Sequence, residues 1–325
     1  MISKSNSWFI KVMSTTLAIV LFIVAVTSFN SYADNRPDIR DYVIYNATTG
    51  KKIKEYSLSR GSATNNDISF HNIIGSDDRY ENWSKIGVVK ILTGLPSDPN
   101  VYGQSTGFVV DAHTIATAAH CLVKTGTLEP RIIEKILLFD DEGSLVSNGV
   151  SYPVLTPVQY HVPVEFLENN NKFYGEERAI YNVVYDYALI TVKEDLSDFI
   201  CFNMGIPLDS MVSKNSQNKD SKVKVTGFPK KINDNTDVND YGTHAKYTGN
   251  GKIVDMEEEY IFHDIDVTSG NSGSPIYIEE VVNGRIYNTV IGIHVSSSLD
   301  GGDNRATRFT PEVLNFLCSN SEKKY

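Results

Sequence analysis

Short runs of β-branched and aromatic residues recur from residue 86 to residue 295, separated by clusters of Gly, Pro, Asn and Asp. Runs of this length predict β-strands, and no long helical period interrupts them. The predicted strands are residues 86–92, 106–110, 114–118, 132–139, 187–192, 222–226, 245–248, 251–254, 260–267, 274–278 and 290–295. Polar loops are predicted at residues 140–149 and 168–178. The pattern is typical of an all-β fold of the barrel type.

A single helix is predicted after the last strand. Thr310 is a favourable N-cap, and Pro311 suits the first helical position. One apolar stripe at helical spacing is formed by Val313, Leu314, Leu317 and Cys318.

The N-terminal segment has the features of a secreted precursor. Lys4 and Lys11 precede an apolar centre at residues 17–26, and Ser-Tyr-Ala at residues 31–33 offers small residues to a signal peptidase. Residues 1–33 are therefore predicted to be a signal peptide, with an uncleaved anchor as the alternative. Residues 34–71 are polar and predict a propeptide, for which a flexible linker or an extra strand is the alternative.

The composition excludes several classes of protein. The chain has 325 residues, of which 41% are hydrophobic and 22% are charged, as in ordinary globular proteins. A formal net charge of −10 argues against a nucleic-acid partner, because phosphate binding relies on clustered Lys and Arg. The chain has no His-Glu-x-x-His motif and no zinc spacing of Cys, so neither a metal nor a cofactor is expected. The Asp- and Asn-rich residues 233–240 lack the Gly and Glu of a calcium loop and predict a solvated loop.

The three cysteines form an odd set, so at least one is unpaired within the chain. Cys121 and Cys318 are predicted to be small buried apolar residues. A bridge between Cys201 and Cys318 is the alternative.

The sequence Gly-Asn-Ser-Gly-Ser-Pro at residues 270–275 predicts a tight turn between two strands. A serine hydroxyl acts as a nucleophile when a histidine takes its proton and an acid orients that histidine. Ser272 is the candidate nucleophile, with His120 and Asp186 upstream in the order His, Asp, Ser. The backbone amides of Gly270 and Ser272 would stabilise the oxyanion formed in acyl transfer. An ordinary hairpin turn is the alternative.

Two other aspartates in the same region are candidates for the acid that orients His120. Asp195 and Asp198 lie a few residues beyond Asp186. Neither is followed by an apolar strand that would bury an orienting carboxylate beside His120, so Asp186 is preferred.

Four motifs resemble those of the chymotrypsin-like serine proteases, in particular the secreted bacterial glutamyl endopeptidases and the related exfoliative-toxin-like proteins. They are Thr-Ala-Ala-His-Cys at residues 117–121, the turn at 270–275, Ile-Gly-Ile-His at 291–294 and Ile-Ile-Gly-Ser-Asp-Asp-Arg at 73–79. The resemblance begins at about residue 72. It implies two antiparallel β-barrels of the chymotrypsin type, residues 72–198 and 199–325, with the active site in the cleft between them.

The resemblance also implies a pocket for an acidic side chain. His294 would contact the substrate glutamate, although a lone histidine on a strand is also a common structural residue. The family usually has a hydroxyl where this chain has Val267, and a local shift that turns Thr268 inward would restore that donor. A mature N-terminus at residues 72–74 would place its amine beside the same carboxylate. The ion pair of trypsin-like zymogens is absent, because Asn271 stands where they have an aspartate.

Together these motifs predict a secreted serine endopeptidase, made as a zymogen, that cleaves after acidic residues, mainly Glu. It would act as a monomer on protein or peptide substrates after a maturation protease removes the propeptide, without contacting a membrane once the signal is cleaved. Two alternatives remain open. One is a related protease of other or narrow specificity, as in the exfoliative-toxin-like proteins, and the other is a non-catalytic binding protein on the same scaffold.

Overall fold

The structure is a computed structural model that describes residues 42–53, 79–81, 86–138, 146–147, 150–151, 154–172, 183–199, 202–212, 222–229, 246–297 and 302–319. The predicted signal peptide at residues 1–33 lies outside the described residues, as do the predicted mature N-terminus at residues 72–74, the loop at residues 233–240 and Cys201.

Strands dominate the described part of the chain. In chain order they are β1 (Tyr42–Asn46), β2 (Tyr80–Glu81), β3 (Val88–Leu95), β4 (Asp98–Asp111), β5 (Thr114–Thr117), β6 (Val123–Lys124), β7 (Glu129–Pro130), β8 (Ile132–Leu138), β9 (Val146–Ser147), β10 (Val150–Ser151), β11 (Val154–Leu155), β12 (Pro157–Pro163), β13 (Ala188–Val192), β14 (Phe202–Met204), β15 (Lys222–Gly227), β16 (Tyr247–Met256), β17 (Tyr260–His263), β18 (Pro275–Val282), β19 (Arg285–Ser297) and β20 (Asn304–Arg308). Two α-helices have both ends among the described residues, α1 (Val164–Lys172) and α2 (Pro311–Ser319), and residues 183–185 are helical as well. Single 3-10 turns span Ala119–Cys121, Ser197–Phe199 and Asp209–Met211. The all-β class predicted from the sequence is confirmed.

The first sheet contains eight strands in the order β1-β12-β13-β5-β4-β3-β8-β11. Its neighbouring strands are antiparallel throughout. The two end strands do not pair with each other in the described part of the chain, so the sheet curves as a half-barrel.

The second sheet closes on itself. Its strands follow the order β14-β19-β18-β15-β16-β17-β20, and β20 also pairs with β19, which closes six strands into a barrel. The short strand β14 adds in parallel to the outside of β19. The barrel interior is filled by buried aliphatic side chains, among them Val225, Ile253, Ile265, Ile276 and Ile291.

The short strand β2 lies in the range predicted for the N-terminal barrel, yet it pairs with β16 of the second sheet. The partners are Tyr80 with Thr248 and Glu81 with Tyr247. The neighbouring strand β17 pairs with β16 only between Ile253 and Met256. The beginning of β16 would therefore have an open backbone edge on that side, and β2 fills it.

Helix α1 overlaps the polar loop predicted at residues 168–178, so that prediction is wrong at its beginning. Phe166 and Leu167 are fully buried and anchor the helix to the apolar core. The helix has nine residues and few apolar positions, so the sequence shows no long helical period there. Tertiary packing stabilises such a helix more than its local sequence pattern does.

Residues 42–53 fall within the predicted propeptide and are built into the first sheet. Strand β1 pairs with β12 over five residues, and Val43, Tyr45 and Ala47 are buried in the core. The ring of Tyr45 stacks on that of Tyr160 with 5.1 Å between centroids. The extra strand weighed as an alternative is therefore present, whereas its removal by a protease stays a prediction.

The C-terminal helix confirms the predicted one. Its first turn is capped as expected, since the Val313 amide lies 3.3 Å from the Thr310 hydroxyl. The helix packs on the first sheet through Phe316, whose ring meets that of Tyr187 edge to face at 4.9 Å between centroids. No described helix is long and apolar enough to cross a membrane.

The structure describes two of the three cysteines, Cys121 and Cys318. Cys121 is buried, as predicted, whereas Cys318 lies near the end of α2 and is partly exposed, so its predicted burial is wrong. Cys201 lies outside the described residues, so the alternative bridge between Cys201 and Cys318 stays a prediction.

Candidate active site

The register of two neighbouring strands brings His120 and Asp186 together. β5 and β13 pair antiparallel, with Thr117 opposite Ala188. His120 lies in the 3-10 turn that follows β5, and Asp186 precedes β13 by two residues. In an antiparallel pair the end of one strand meets the beginning of the other, so the two side chains are delivered to the same edge of the sheet.

Asp186 holds His120 by two hydrogen bonds. The Nδ1 atom of His120 lies 2.6 Å from Oδ2 of Asp186, and the His120 backbone N–H donates to Oδ1 at 2.9 Å. The carboxylate is buried, while 18% of the His120 side chain is exposed. By contrast, Asp195 is exposed and accepts hydrogen bonds from Ser197, and Asp198 is exposed as well.

The pKa of His120 is raised well above its ordinary value. Burial of the ring acts in the opposite direction, but the negative charge and hydrogen bond of Asp186, with smaller contributions from Cys121, outweigh it. The Cys121 Sγ lies 3.9 Å from Nε2 of His120. The site is thus built to stabilise an imidazolium, as a base that receives a proton from serine requires.

The segment before Ser272 forms a type II turn. The Asn271 backbone N–H donates to the Thr268 carbonyl at 3.0 Å. Gly270 has a φ of 101°, whereas Ser269 does not have a positive φ, and this combination defines the turn. Only glycine adopts that φ without strain. The Gly270 N–H donates no hydrogen bond to another described residue, which leaves it suited to an oxyanion.

Hydrogen bonds dock this turn onto the first sheet. The Thr106 N–H donates to the Ser272 carbonyl at 2.9 Å, and the Thr106 hydroxyl donates to the Gly270 carbonyl at 2.8 Å. The Thr117 hydroxyl in turn donates to the Thr106 carbonyl at 2.7 Å. Ser272, itself 6% exposed, therefore sits against the strands that lead to His120.

Gly273 lets the turn that carries Ser272 approach the first sheet closely. A Cβ at this position would lie 2.1 Å from the Thr106 carbonyl oxygen, 2.2 Å from the Thr117 hydroxyl and 3.1 Å from the Ala118 backbone nitrogen. No side chain fits there. Because Ala118 is two residues before His120, the residue after Ser272 touches the segment that carries the histidine.

His294 lies on β19 beside the same turn. Its carbonyl accepts the Gly273 N–H at 2.8 Å, and its N–H donates to the Ser274 carbonyl at 2.9 Å. The imidazole is fully buried, with Nδ1 3.1 Å from Nε2 of His263, and the two rings meet edge to face. Burial lowers the pKa of His263 to about 3, so His263 is neutral.

The two residues named for the acidic pocket face different surroundings. Val267 is fully buried in the apolar interior of the second sheet. Thr268 is partly exposed, and its hydroxyl accepts a hydrogen bond from Nη1 of Arg79 at 3.0 Å. Of these two side chains, the Thr268 side chain is the partly exposed one, and its hydroxyl lies near the turn.

Sequence reasoning missed three residues near this region. In the sequence Arg79 is only the last residue of the motif at 73–79, and His263 belongs to no motif. Asp266 is buried and lies six residues before Ser272. No local pattern marks any of them, because each acquires its neighbours through strand pairing between distant segments.

The fold and the site define a serine peptidase of the chymotrypsin type. A model described as a trypsin-like peptidase domain matches residues 105–282, more than half of the chain, and the chain belongs to this family.

Particular relatives agree with this assignment. The chain is 24% identical to a glutamyl endopeptidase of Bacillus licheniformis over 259 residues, which cover 77% of this chain and 69% of the relative. It also resembles a solved structure described as a Glu endopeptidase in complex with MPD, with a TM-score of 0.54 and 16% identity over 76% of this chain and 98% of the other. The predicted resemblance and the chymotrypsin-type fold are confirmed, and the structural likeness supports the fold alone.

Proposed function

We propose that the protein is a secreted serine endopeptidase that hydrolyses peptide bonds after acidic residues, mainly Glu, through an acyl-enzyme. The observation that carries this proposal is the docking of the Ser272 turn onto strands β4 and β5, beside a histidine bonded to a buried carboxylate. A surface that only binds a partner has no need for this arrangement.

In the proposed reaction Ser272 Oγ attacks the substrate carbonyl while Nε2 of His120 takes its proton. Asp186 keeps the imidazole oriented through Nδ1 and stabilises the cation that forms. The amides of Gly270 and Ser272 bind the oxyanion. His120 then protonates the leaving amine, and a water activated by His120 hydrolyses the acyl-enzyme.

The acidic preference is supported by the likeness to a glutamyl endopeptidase and by the cation and hydroxyl at Arg79 and Thr268. His294 adjoins the catalytic turn, but its ring is fully enclosed. A substrate carboxylate would reach it only after surrounding residues move apart. Val267 has no hydroxyl to donate to a substrate carboxylate. A related protease of narrower specificity is therefore the second candidate function.

Secretion and maturation belong to the same proposal. Residues 1–33 would direct export, and a maturation protease would cut near residues 72–74, within a chain that acts as a monomer on protein or peptide substrates. With these cuts, the proposed segments are the signal peptide at 1–33, the propeptide at 34–71 and the two barrel regions at 72–198 and 199–325.

The experiment is digestion of a diverse peptide library by the processed protein beside Ser272→Ala, with cleavage positions read by mass spectrometry. Cuts after Glu that vanish in Ser272→Ala are expected. Ser272-dependent cuts after Lys or Arg would overturn the acidic preference and point to the buried carboxylate of Asp266.

A serine-directed fluorophosphonate separates the remaining alternatives. Labelling of Ser272 without library cleavage would favour a protease of narrow specificity. Neither labelling nor cleavage, from protein shown to be processed near residue 72, would favour a non-catalytic binding protein.

A further inference from the structure

We propose that Arg79 is a specificity-determining residue that binds the acidic side chain preceding the cleaved bond. The inference rests on the proposed endopeptidase function and names the group that gives it its acidic preference. Nothing in the sequence marks Arg79 for this role, which follows from its place in the folded chain.

Backbone pairing carries Arg79 from the first half of the chain to the second sheet. β2 begins at the next residue, and Tyr80 pairs with Thr248 on β16. The stem of Arg79 then passes over Gly249, where an added Cβ would lie 3.5 Å from Arg79 Cγ and 3.2 Å from the Asp266 carbonyl oxygen. The Arg79 distance is an ordinary van der Waals contact, so the stem of Arg79 packs beside Gly249, next to the segment that leads to Ser272.

The guanidinium is attached to the catalytic turn itself. Its Nη1 donates to the Thr268 hydroxyl at 3.0 Å, and the Thr268 carbonyl accepts the Asn271 N–H that closes the type II turn. The first and fourth Cα atoms of such a turn lie within about 7 Å of each other. Arg79 is thereby held one short turn away from Ser272.

Arg79 and His294 differ in the surroundings that a substrate would meet. His294 has no exposed surface, and its Nδ1 faces the neutral ring of His263. Arg79 is partly exposed beside a partly exposed hydroxyl. A guanidinium is charged throughout the working pH range, and its planar fork of N–H groups matches a carboxylate. Charged residues on the described neighbouring segments include Glu81, Lys246, Asp264 and Asp266.

The test compares Arg79→Gln with the wild type, both secreted and processed from the full chain. Matched peptides carry Glu, Gln or Lys before the cleaved bond, and kcat/KM is measured for each. Loss of a charge-assisted contact is expected to lower the Glu-to-Gln ratio of kcat/KM about 10- to 100-fold. Fluorophosphonate labelling of Ser272 in the variant shows separately whether the catalytic groups are still assembled.

Charge reversal gives a result that a structural role does not produce. Arg79→Glu is expected to cleave the Lys peptide faster than the Glu peptide. Arg79→Lys keeps the charge without the fork and should lower the Glu-to-Gln ratio by about three- to tenfold. If Arg79→Gln fails to fold, as shown by lost labelling, the Arg79→Lys ratio decides the proposal.

Arg285→Gln is the matched control, because it removes the same charge from the exposed tip of the β18–β19 hairpin. Its ratio should stay within about twofold of wild type. The wild-type ratio should also be constant between pH 6 and 9, since a guanidinium does not titrate there. A ratio that declines over that range would assign recognition to an imidazole or an amine and overturn the proposal.

The role of Arg79 and the endopeptidase activity can be disproved separately. Ser272-dependent cleavage with an unchanged Glu-to-Gln ratio in Arg79→Gln overturns the role of Arg79 and leaves the endopeptidase in place. Absence of Ser272-dependent cleavage in the wild type overturns both.

Discussion

Two histidine pairs lie near Gly273 of the catalytic turn, one through Ala118 and the other through the His294 carbonyl, and they have opposite electrostatics. His120 is paired with the Asp186 carboxylate, and its pKa is raised well above the ordinary value despite the burial that opposes the shift. His263 is paired with another imidazole, His294, and burial lowers the pKa of His263 to about 3. Desolvation acts on both residues, but only His120 has an anion within hydrogen-bonding distance.

The comparison shows how one residue type serves two purposes in one fold. A base that must carry a proton for part of each reaction cycle needs a partner that stabilises its cation. A histidine inside an apolar barrel keeps a fixed neutral state, because nothing there offsets the loss of water.

The largest expected effect comes from breaking the charged pair. Asp186→Asn keeps the shape of the side chain but removes the charge and the acceptor that fix the His120 tautomer, so kcat should fall by about 10⁴-fold. The measurement is steady-state kinetics on a peptide cleaved by the wild type. Asp195→Asn removes an exposed carboxylate bonded only to Ser197 and should stay within about twofold. The reverse order of effects would show that the wrong acid has been assigned.

The buried His263 should govern stability in acid. The folded pKa of His263, about 3, lies below its value of about 6.5 in the unfolded chain, so the unfolded chain takes up a proton first as pH falls. The stabilising contribution is complete above pH 6.5 and is lost on acidification toward pH 3, at up to about 1.4 kcal/mol per pH unit. Urea unfolding of wild type and His263→Phe at several pH values measures this slope.

The variant should show a shallower acid decline than the wild type. Ile261→Val, in the same strand, is the control, because it should cost about 1 kcal/mol at every pH without altering the slope. Parallel curves for wild type and His263→Phe would contradict the neutral assignment.

A smaller effect should appear in the pH dependence of activity. His120 accepts a proton only when it is neutral, so kcat/KM should fall as pH drops through its raised pKa, with the acid limb above pH 6.5. Cys121 contributes less to this shift than Asp186 does. Cys121→Ala should therefore move the limb slightly toward lower pH and leave the plateau within about twofold. Movement toward higher pH would show that the thiol acts differently on Nε2.

Much of this arrangement follows from the sequence because it is encoded locally. Strand runs, a glycine-serine turn and the order of His120, Asp186 and Ser272 are readable in single segments, and the register of β5 with β13 then joins two of them. His263 and His294 are 31 residues apart and meet only because β17 and β19 flank β20 in the closed barrel. The sequence of neither segment indicates that the barrel closes and brings the two histidines together.

Val267 and Thr268 show the same limit of prediction from sequence for two adjacent residues. Sequence reasoning left open whether Val267 or Thr268 offers its side chain to the substrate. Packing decides between adjacent positions, since Val267 joins the aliphatic interior and Thr268 is turned toward Arg79. That orientation depends on β2, a strand of two residues that propensity alone does not reveal.

Strand β1 also has a consequence for what happens after maturation. It forms one border of the first sheet, and a cut near residues 72–74 would sever its covalent link to the rest of the protein. If the severed strand stays bound, the mature enzyme is a two-chain particle. If it leaves, β12 becomes a bare border with a row of open amides and carbonyls, which can recruit foreign strands and seed aggregation.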